Sequence, residues 1–321
     1  MLTAKDIRGV VAIVPTCAKP GADDWRNEDT VDLDETARVV DQLIKDGATC
    51  ILTNGTTGEC ATLLWEEHKA FAQVVIDVTA KRVPLFVGTT TLGTRETIRR
   101  LRTVMDMGAD GTLLGIPMWQ APTMETAIAH YKMVSEAVPK ASIFVYANQQ
   151  AFRFPFGPAF WGHMHREVPA AIGAKYQDTA NYLAALEACE NSVNLVPVYS
   201  QIYGFARLSP ETATACWNHA VQPGPMLTMM EALGRRDYDR AAEIQKDFLW
   251  AARTQNPPLS MEVFGQFNIQ LEKLRQEATG YVKAGPMRPP YHLIPDNMAE
   301  AAREGGRRWA QLAEKYAQVP A

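Results

Sequence analysis

No apolar run in this sequence approaches the ~18 residues that a membrane-spanning helix needs. No block of Lys or Arg offers a surface for nucleic acid or an anionic membrane, and the net charge is −4. The N-terminal stretch MLTAKDIRGVVAIVPT lacks the charged head, apolar core and cleavage site of a secretory signal. Cysteine is scarce and unpatterned. The five, at 17, 50, 60, 189 and 216, are an odd number with no CxxC spacing. They read as reduced thiols in a cytoplasmic protein. There is no P-loop and no GxGxxG. The six histidines have no metal spacing, and His163 and His165, two apart, fall on different faces of a helix.

What is present is a period. The 321 residues, 47% hydrophobic and 21% charged, can bury one α/β barrel or two domains. Short apolar runs at 9–16, 50–56, 83–90, 111–117, 142–148, 170–176, 194–200 and 213–219 are apolar on both faces. Strands of a parallel sheet covered on both sides have that pattern. Helix patterns lie between them. Leu33, Ala37, Val40 and Ile44 share one face and Gly47 is a stop. The stretches 94–108 and 123–138 each open at a Thr suited to N-capping. Eight β–α units predict an α/β fold, a (β/α)8 TIM barrel, rather than a doubly wound sheet. The barrel with its catalytic site spans 1–236. Residues 237–321 form a C-terminal helical extension packed on it, interrupted by the proline-rich KAGPMRPPYHLIP.

Lys175 stands out because it lies in the apolar strand AAIGAKY. Burial disfavours an ammonium ion and frees a nucleophilic amine, which can form a Schiff base with a ketone. A strand-end lysine reaching back to water fits the same segment. In a TIM barrel, catalytic groups gather at the C-terminal strand ends, and those ends carry further candidates. Gly55-Thr56-Thr57-Gly58 offers backbone N–H groups and two hydroxyls to a small carboxylate, although it also reads as an ordinary turn. Tyr146 can relay protons, or be a core tyrosine with one satisfied hydroxyl. Asn148 can bind a hydroxyl or water, or form a turn. Trp119 and Trp217 can wall a flat ring, or simply pack.

Taken together, GTTGE after strand two, Tyr146 ending strand five and Lys175 in strand six resemble the class I pyruvate-lyase family of dihydrodipicolinate synthase and N-acetylneuraminate lyase. Pro15-Thr16 and the GPMRPP segment (285–290) fit as well, so the resemblance spans nearly the whole chain. Within the family, VDLDETARVV, GECATL, GIPMW, YANQQAF and TACW are similar to the hydratase-aldolases of polycyclic aromatic degradation. The synthase branch carries an Arg five residues after its Tyr and paired aromatics after its strand-four Pro. Here those places hold Ala151 and Met118-Trp119, and Arg153 is out of register.

The resemblance implies an aldehyde-lyase that cleaves an ortho-substituted trans-benzylidenepyruvate to an aromatic aldehyde and pyruvate. It implies catalytic Lys175, Tyr146 and Thr56, with Thr57 and Gly55 at the carboxylate. Asn148 and Asn268 would position water or the new hydroxyl, and Trp119 and Trp217 would face the ring. It implies no cofactor or metal, because the Lys175 Schiff base is the electron sink, and a homotetramer without nucleic-acid or membrane partners. The competing readings are a lyase for aliphatic 2-keto-3-deoxy sugar acids and a non-catalytic binding protein on the same barrel.

Overall fold

A curled parallel sheet organises the molecule in the computed structural model, which describes residues 2–209, 222–255 and 258–317 and, for the backbone alone, 214–217. Its strands are β1 (Gly9–Ile13), β2 (Ala48–Thr53), β3 (Leu85–Val87), β4 (Gly111–Leu114), β5 (Ser142–Tyr146), β6 (Ala171–Lys175), β7 (Asn194–Val196) and β8 (Thr214–Trp217). They follow the order β7-β6-β5-β4-β3-β2-β1-β8, each pair parallel. Each strand lies inside its expected apolar run, apart from an earlier start for β2. The residues beyond the strand ends form the loops of one rim.

The helices between the strands are α1 (Leu33–Lys45), α2 (Trp65–Thr79), α3 (Thr94–Met107), α4 (Met124–Ala137), α5 (Gln149–Phe152), α6 (Pro158–Glu167), α7 (Tyr182–Ala188) and α8 (Ile202–Leu208). After β8 come α9 (Gly224–Gly234), α10 (Tyr238–Ala252), α11 (Met261–Ala278) and α12 (Asp296–Tyr316). Their ends follow the capping chemistry. The Asp32 side chain accepts from Glu35 N at 2.9 Å and opens α1. Thr123 accepts from Thr126 N and opens α4. The expected cap at Thr94 is not formed. Gly93 precedes α3 without a side-chain cap, and the Thr94 hydroxyl instead bonds His130 Nδ1 at 2.9 Å.

One apolar cluster fills the sheet and its covering helices, from Val11, Leu52 and Phe86 to Phe144 and Trp161. A second joins Val10, Tyr199, Ile202 and Met226 to Ile244 and Phe248 of α10 and Trp309 of α12. Burying each of these large side chains contributes roughly 1.5–3 kcal/mol. Gly306 lets α12 lie against α11, since a Cβ there would come within 2.3 Å of Arg275 O. Small residues permit that backbone approach. The segment 283–295 contains no helix, as its prolines require. Among the described residues, no helix is long and apolar enough to cross a membrane.

Candidate active site

Parallel pairing of β5 with β6 makes Tyr146 and Lys175 register partners at the C-terminal ends of their strands. Lys175 is 9% exposed. Its Nζ lies 5.4 Å from the centroid of the Tyr146 ring. The Tyr146 hydroxyl is 2.8 Å from Thr56 Oγ1 and accepts from Asn148 Nδ2 at 3.2 Å. Asn148 caps α5, where its Oδ1 accepts from the Gln150 and Ala151 N–H groups, each at 3.1 Å. Those two donors fix the amide, so its nitrogen faces Tyr146. With Asn148 donating to the phenol oxygen, the phenol proton is free for Thr56 or for a bound substrate. Three residues from the ends of two strands, β2 and β5, therefore form a short relay beside an amine.

The turn that carries Thr56 is built tightly. Asn54 and Glu59, on either side of it, have φ of 50° and 51°, the left-handed region. A Cβ at Gly58 would lie 2.7 Å from Asn54 N, so only glycine closes the turn. A Cβ at Gly55 would touch Tyr146 Cε1 at 3.4 Å, which holds this stretch against the tyrosine ring. Thr16, from the loop after β1, donates to Gly58 O at 2.8 Å.

Beneath the turn lies a buried charge cluster. Glu59 Oε2 meets Lys273 Nζ at 2.7 Å and an Arg288 NH1 at 2.6 Å, and Oε1 accepts from Arg288 N at 2.8 Å. Lys273 comes from α11 and Arg288 from the GPMRPP segment. Lys273 also donates to Pro286 O at 2.9 Å. Arg288 reaches Thr30, whose hydroxyl donates to Glu67. Burial pushes the Lys273 ammonium below its ordinary value, against the pull of Glu59. One carboxylate thus ties the turn to two distant segments.

A cavity of about 390 Å3 opens over Lys175 and includes Tyr146, Thr57, Asn148, Asn268 and Tyr199. Its lining also includes Arg253 and a buried pair, Arg275 with Glu272, at 2.7 Å. The structure thus brings together Lys175, Tyr146, Thr56, Asn148, Thr57 and Asn268. Gly55 sits under the ring. Trp119 is 79% exposed and is not among the residues lining this cavity. Trp217 ends β8, but its side chain lies outside the described residues. Arg153, out of register in the sequence, donates to Met118 O. Sequence reading missed Glu59, Lys273, Arg288 and the Glu272–Arg275 pair. Glu59 and Arg288 lie in the GTTGE and GPMRPP stretches, and Lys273 and the Glu272–Arg275 pair lie in LEKLRQEA, where charge on several faces of one helix is explained by no periodicity.

Residues 22–152 match the model of the dihydrodipicolinate synthetase family. The chain is 42% identical over 321 residues to trans-O-hydroxybenzylidenepyruvate hydratase-aldolase of Pseudomonas putida, covering 98% of this chain and 96% of that one. It is 36% identical to trans-2'-carboxybenzalpyruvate hydratase-aldolase of Nocardioides sp. (strain KP7), with the same coverage, 98% and 96%. A solved structure described as PhdJ bound to substrate intermediate superposes with a TM-score of 0.94 at 36% identity, covering 98% of this chain and 99% of that one.

Proposed function

The chain belongs to the dihydrodipicolinate synthetase family, and we propose that it is a Schiff-base hydratase-aldolase for an ortho-substituted trans-benzylidenepyruvate. It is a carbon–carbon lyase. The Lys175 amine attacks the C2 ketone, and loss of water gives a protonated imine. That iminium withdraws electrons through the alkene, so water adds at the benzylic C4. The β-hydroxy ketimine then breaks between C3 and C4. The aromatic aldehyde leaves, and the electron pair stays as an enamine. Protonation at C3 and hydrolysis release pyruvate and regenerate Lys175. Tyr146 moves protons in imine formation and cleavage, with Thr56 as the next group in line. Thr57 and the Gly55–Thr56 backbone hold the pyruvyl carboxylate. Asn148 and Asn268 face the water and the new hydroxyl. Trp217 remains a candidate for the ring wall. Trp119 is a weaker one because of its exposure.

The observation that carries this reading is Lys175 and Tyr146 at the ends of adjacent strands, with Thr56 hydrogen-bonded to the tyrosine, beside a cavity of substrate size. No cofactor enters the scheme, because the iminium supplies the electron sink. The finer architecture belongs to the same reading: a closed (β/α)8 barrel over 1–236 and a helical extension over 237–321. It is supported by the apolar cluster that joins α10 and α12 to β1. A cytoplasmic homotetramer completes it, with no nucleic-acid or membrane partner.

Pyruvate and borohydride test the chemistry. Reduction is expected to trap pyruvate on Lys175 and nowhere else, and Lys175→Ala is expected to abolish both trapping and turnover. A stable adduct mapped to another lysine would overturn the assignment.

A further inference from the structure

One wall of the Lys175 cavity comes from the beginning of a single helix. Leu259, just before α11, and Met261 and Phe264 in its first turn line that cavity. Asn268, one turn further on, lines it too. Phe267 lies between, and its φ of −123° and ψ of 17° break the helix there. The two parts of α11 are held differently. None of residues 261–268 is buried. From Ile269 to Gln276 every residue except Leu274 is buried, and Lys273 is fixed on Glu59. Before the break, the Gln150 side chain of α5 donates to Met261 O at 2.7 Å, and Val263 and Phe264 rest on a small apolar cluster with Leu271 and Met298. A segment with little buried surface, beside a break in the backbone, moves at low cost.

An aryl substrate brings its ring to this wall. Lys175 and Thr57 both line this cavity. With C2 bonded to Lys175 and the carboxylate at Thr57, the trans double bond carries C4 and the ring onward in the plane of the imine. A cavity of about 390 Å3 has room for both halves, since ~150 Å3 is enough for benzene. Apart from Tyr146, its larger apolar side chains are Val198 and Tyr199 after β7 and Leu259, Met261 and Phe264 at α11. Tyr199 is held edge-on by Trp309, with ring centroids 5.3 Å apart, so its place is set by the core. Met261 is 61% exposed and Phe264 is half-buried, so both keep apolar surface that a ring would cover. A thioether makes favourable contacts with aromatic rings and adapts to their shape.

We propose that Met261 and Phe264 bind the aryl ring and that the first turns of α11 swing about Phe267 to close them on it. The inference rests on the benzylidenepyruvate reading above and names the wall that selects its aromatic half. Phe264 offers a face of matching kind, and Met261 covers the ring from the exposed side. Gln150 is the latch. Its N–H donates to Asn148 Oδ1 and its side chain holds Met261 O, so closure bears on the Asn148–Tyr146 contact as well. A keto acid without a ring, such as pyruvate, makes no contact with this wall and leaves it where it is, since a ligand shifts an equilibrium only by its differential affinity for the two states.

The probe is 4-phenyl-2-oxobutanoate, the saturated analogue of benzylidenepyruvate. It carries its ring on C4 and forms the Lys175 imine, but it is neither hydrated nor cleaved. Rates of borohydride trapping are compared for this analogue and for pyruvate in the native enzyme, Met261→Ala and Phe264→Ala. Met261 belongs to none of the apolar clusters, so its truncation leaves the core intact. The readout is the analogue-to-pyruvate ratio within each enzyme, so losses of folded protein divide out. Each variant is expected to lower that ratio about tenfold or more. Hydrogen exchange on the two trapped native enzymes reads the movement. The phenyl adduct should slow exchange over 259–268 about tenfold relative to the pyruvate adduct and leave 269–278 unchanged. A native ratio kept by either variant, or equal exchange before Phe267 in the two adducts, would overturn this inference alone. A native enzyme that traps no pyruvate on Lys175 would overturn the functional reading beneath it.

Discussion

Glu59→Gln should be among the most damaging single-atom changes in this protein. The carboxylate is fully buried and accepts from Lys273 Nζ, an Arg288 guanidinium nitrogen and Arg288 N at 2.6–2.8 Å. Glutamine keeps the shape and removes the charge. It leaves an ammonium and a guanidinium, 1% and 3% exposed, without their shared counter-ion. Removing one partner from a buried ion pair costs roughly 3–5 kcal/mol. At about 2 °C per kcal/mol, the low end for larger domains, Tm should fall by roughly 6–10 °C. Pairing the change with Lys273→Met removes one stranded cation, so the double variant should be more stable than Glu59→Gln alone. Calorimetry on the native protein and the three variants measures both effects. The turn bearing Thr56 and Thr57 is anchored by this carboxylate, so KM should rise as well. A Tm shift below about 2 °C, or simple additivity in the double variant, would refute the reasoning, because it would mean that the cations do not depend on Glu59.

The other expectations concern protons. Tyr146→Phe removes one hydroxyl and leaves the ring over Lys175, so kcat should fall by ~10²–10⁴-fold with little change in KM. A loss under tenfold would remove Tyr146 from proton transfer. Burial pushes the imidazoles of His68 and His130 down from 6.5 to about 4. Between those values the unfolded chain binds protons that the folded chain does not, so stability is complete above about pH 6.5 and is lost as pH falls toward 4. Each histidine accounts for up to roughly 3 kcal/mol. Tm followed from pH 7.5 to 4.5 should show the fall and His68→Gln should flatten part of it, whereas a level profile would contradict buried neutral histidines.

Much of the site was legible because a parallel sheet turns sequence period into geometry. Residues that close successive apolar runs must emerge at one rim, so Lys175, Tyr146 and the Gly55–Thr57 turn could be grouped without coordinates. Strand positions and the helices after β1, β3 and β4 were legible for the same local reasons, hydrophobic period and capping. The cap at Thr94 was not, because His130, on the next helix, claims its hydroxyl. The exposure of Trp119 was not legible, because strand-end position says nothing about it. The loop after β4 turns its side chain to solvent. The charge cluster of Glu59, Lys273 and Arg288 joins residues separated by 214 and 229 positions, and no local pattern encodes such a meeting. The sequence alone determined which backbone ends converge and which amine is buried among them. Only the tertiary structure decided what surrounds them, because solvation and hydrogen-bond pairing depend on neighbours that the chain brings from far away.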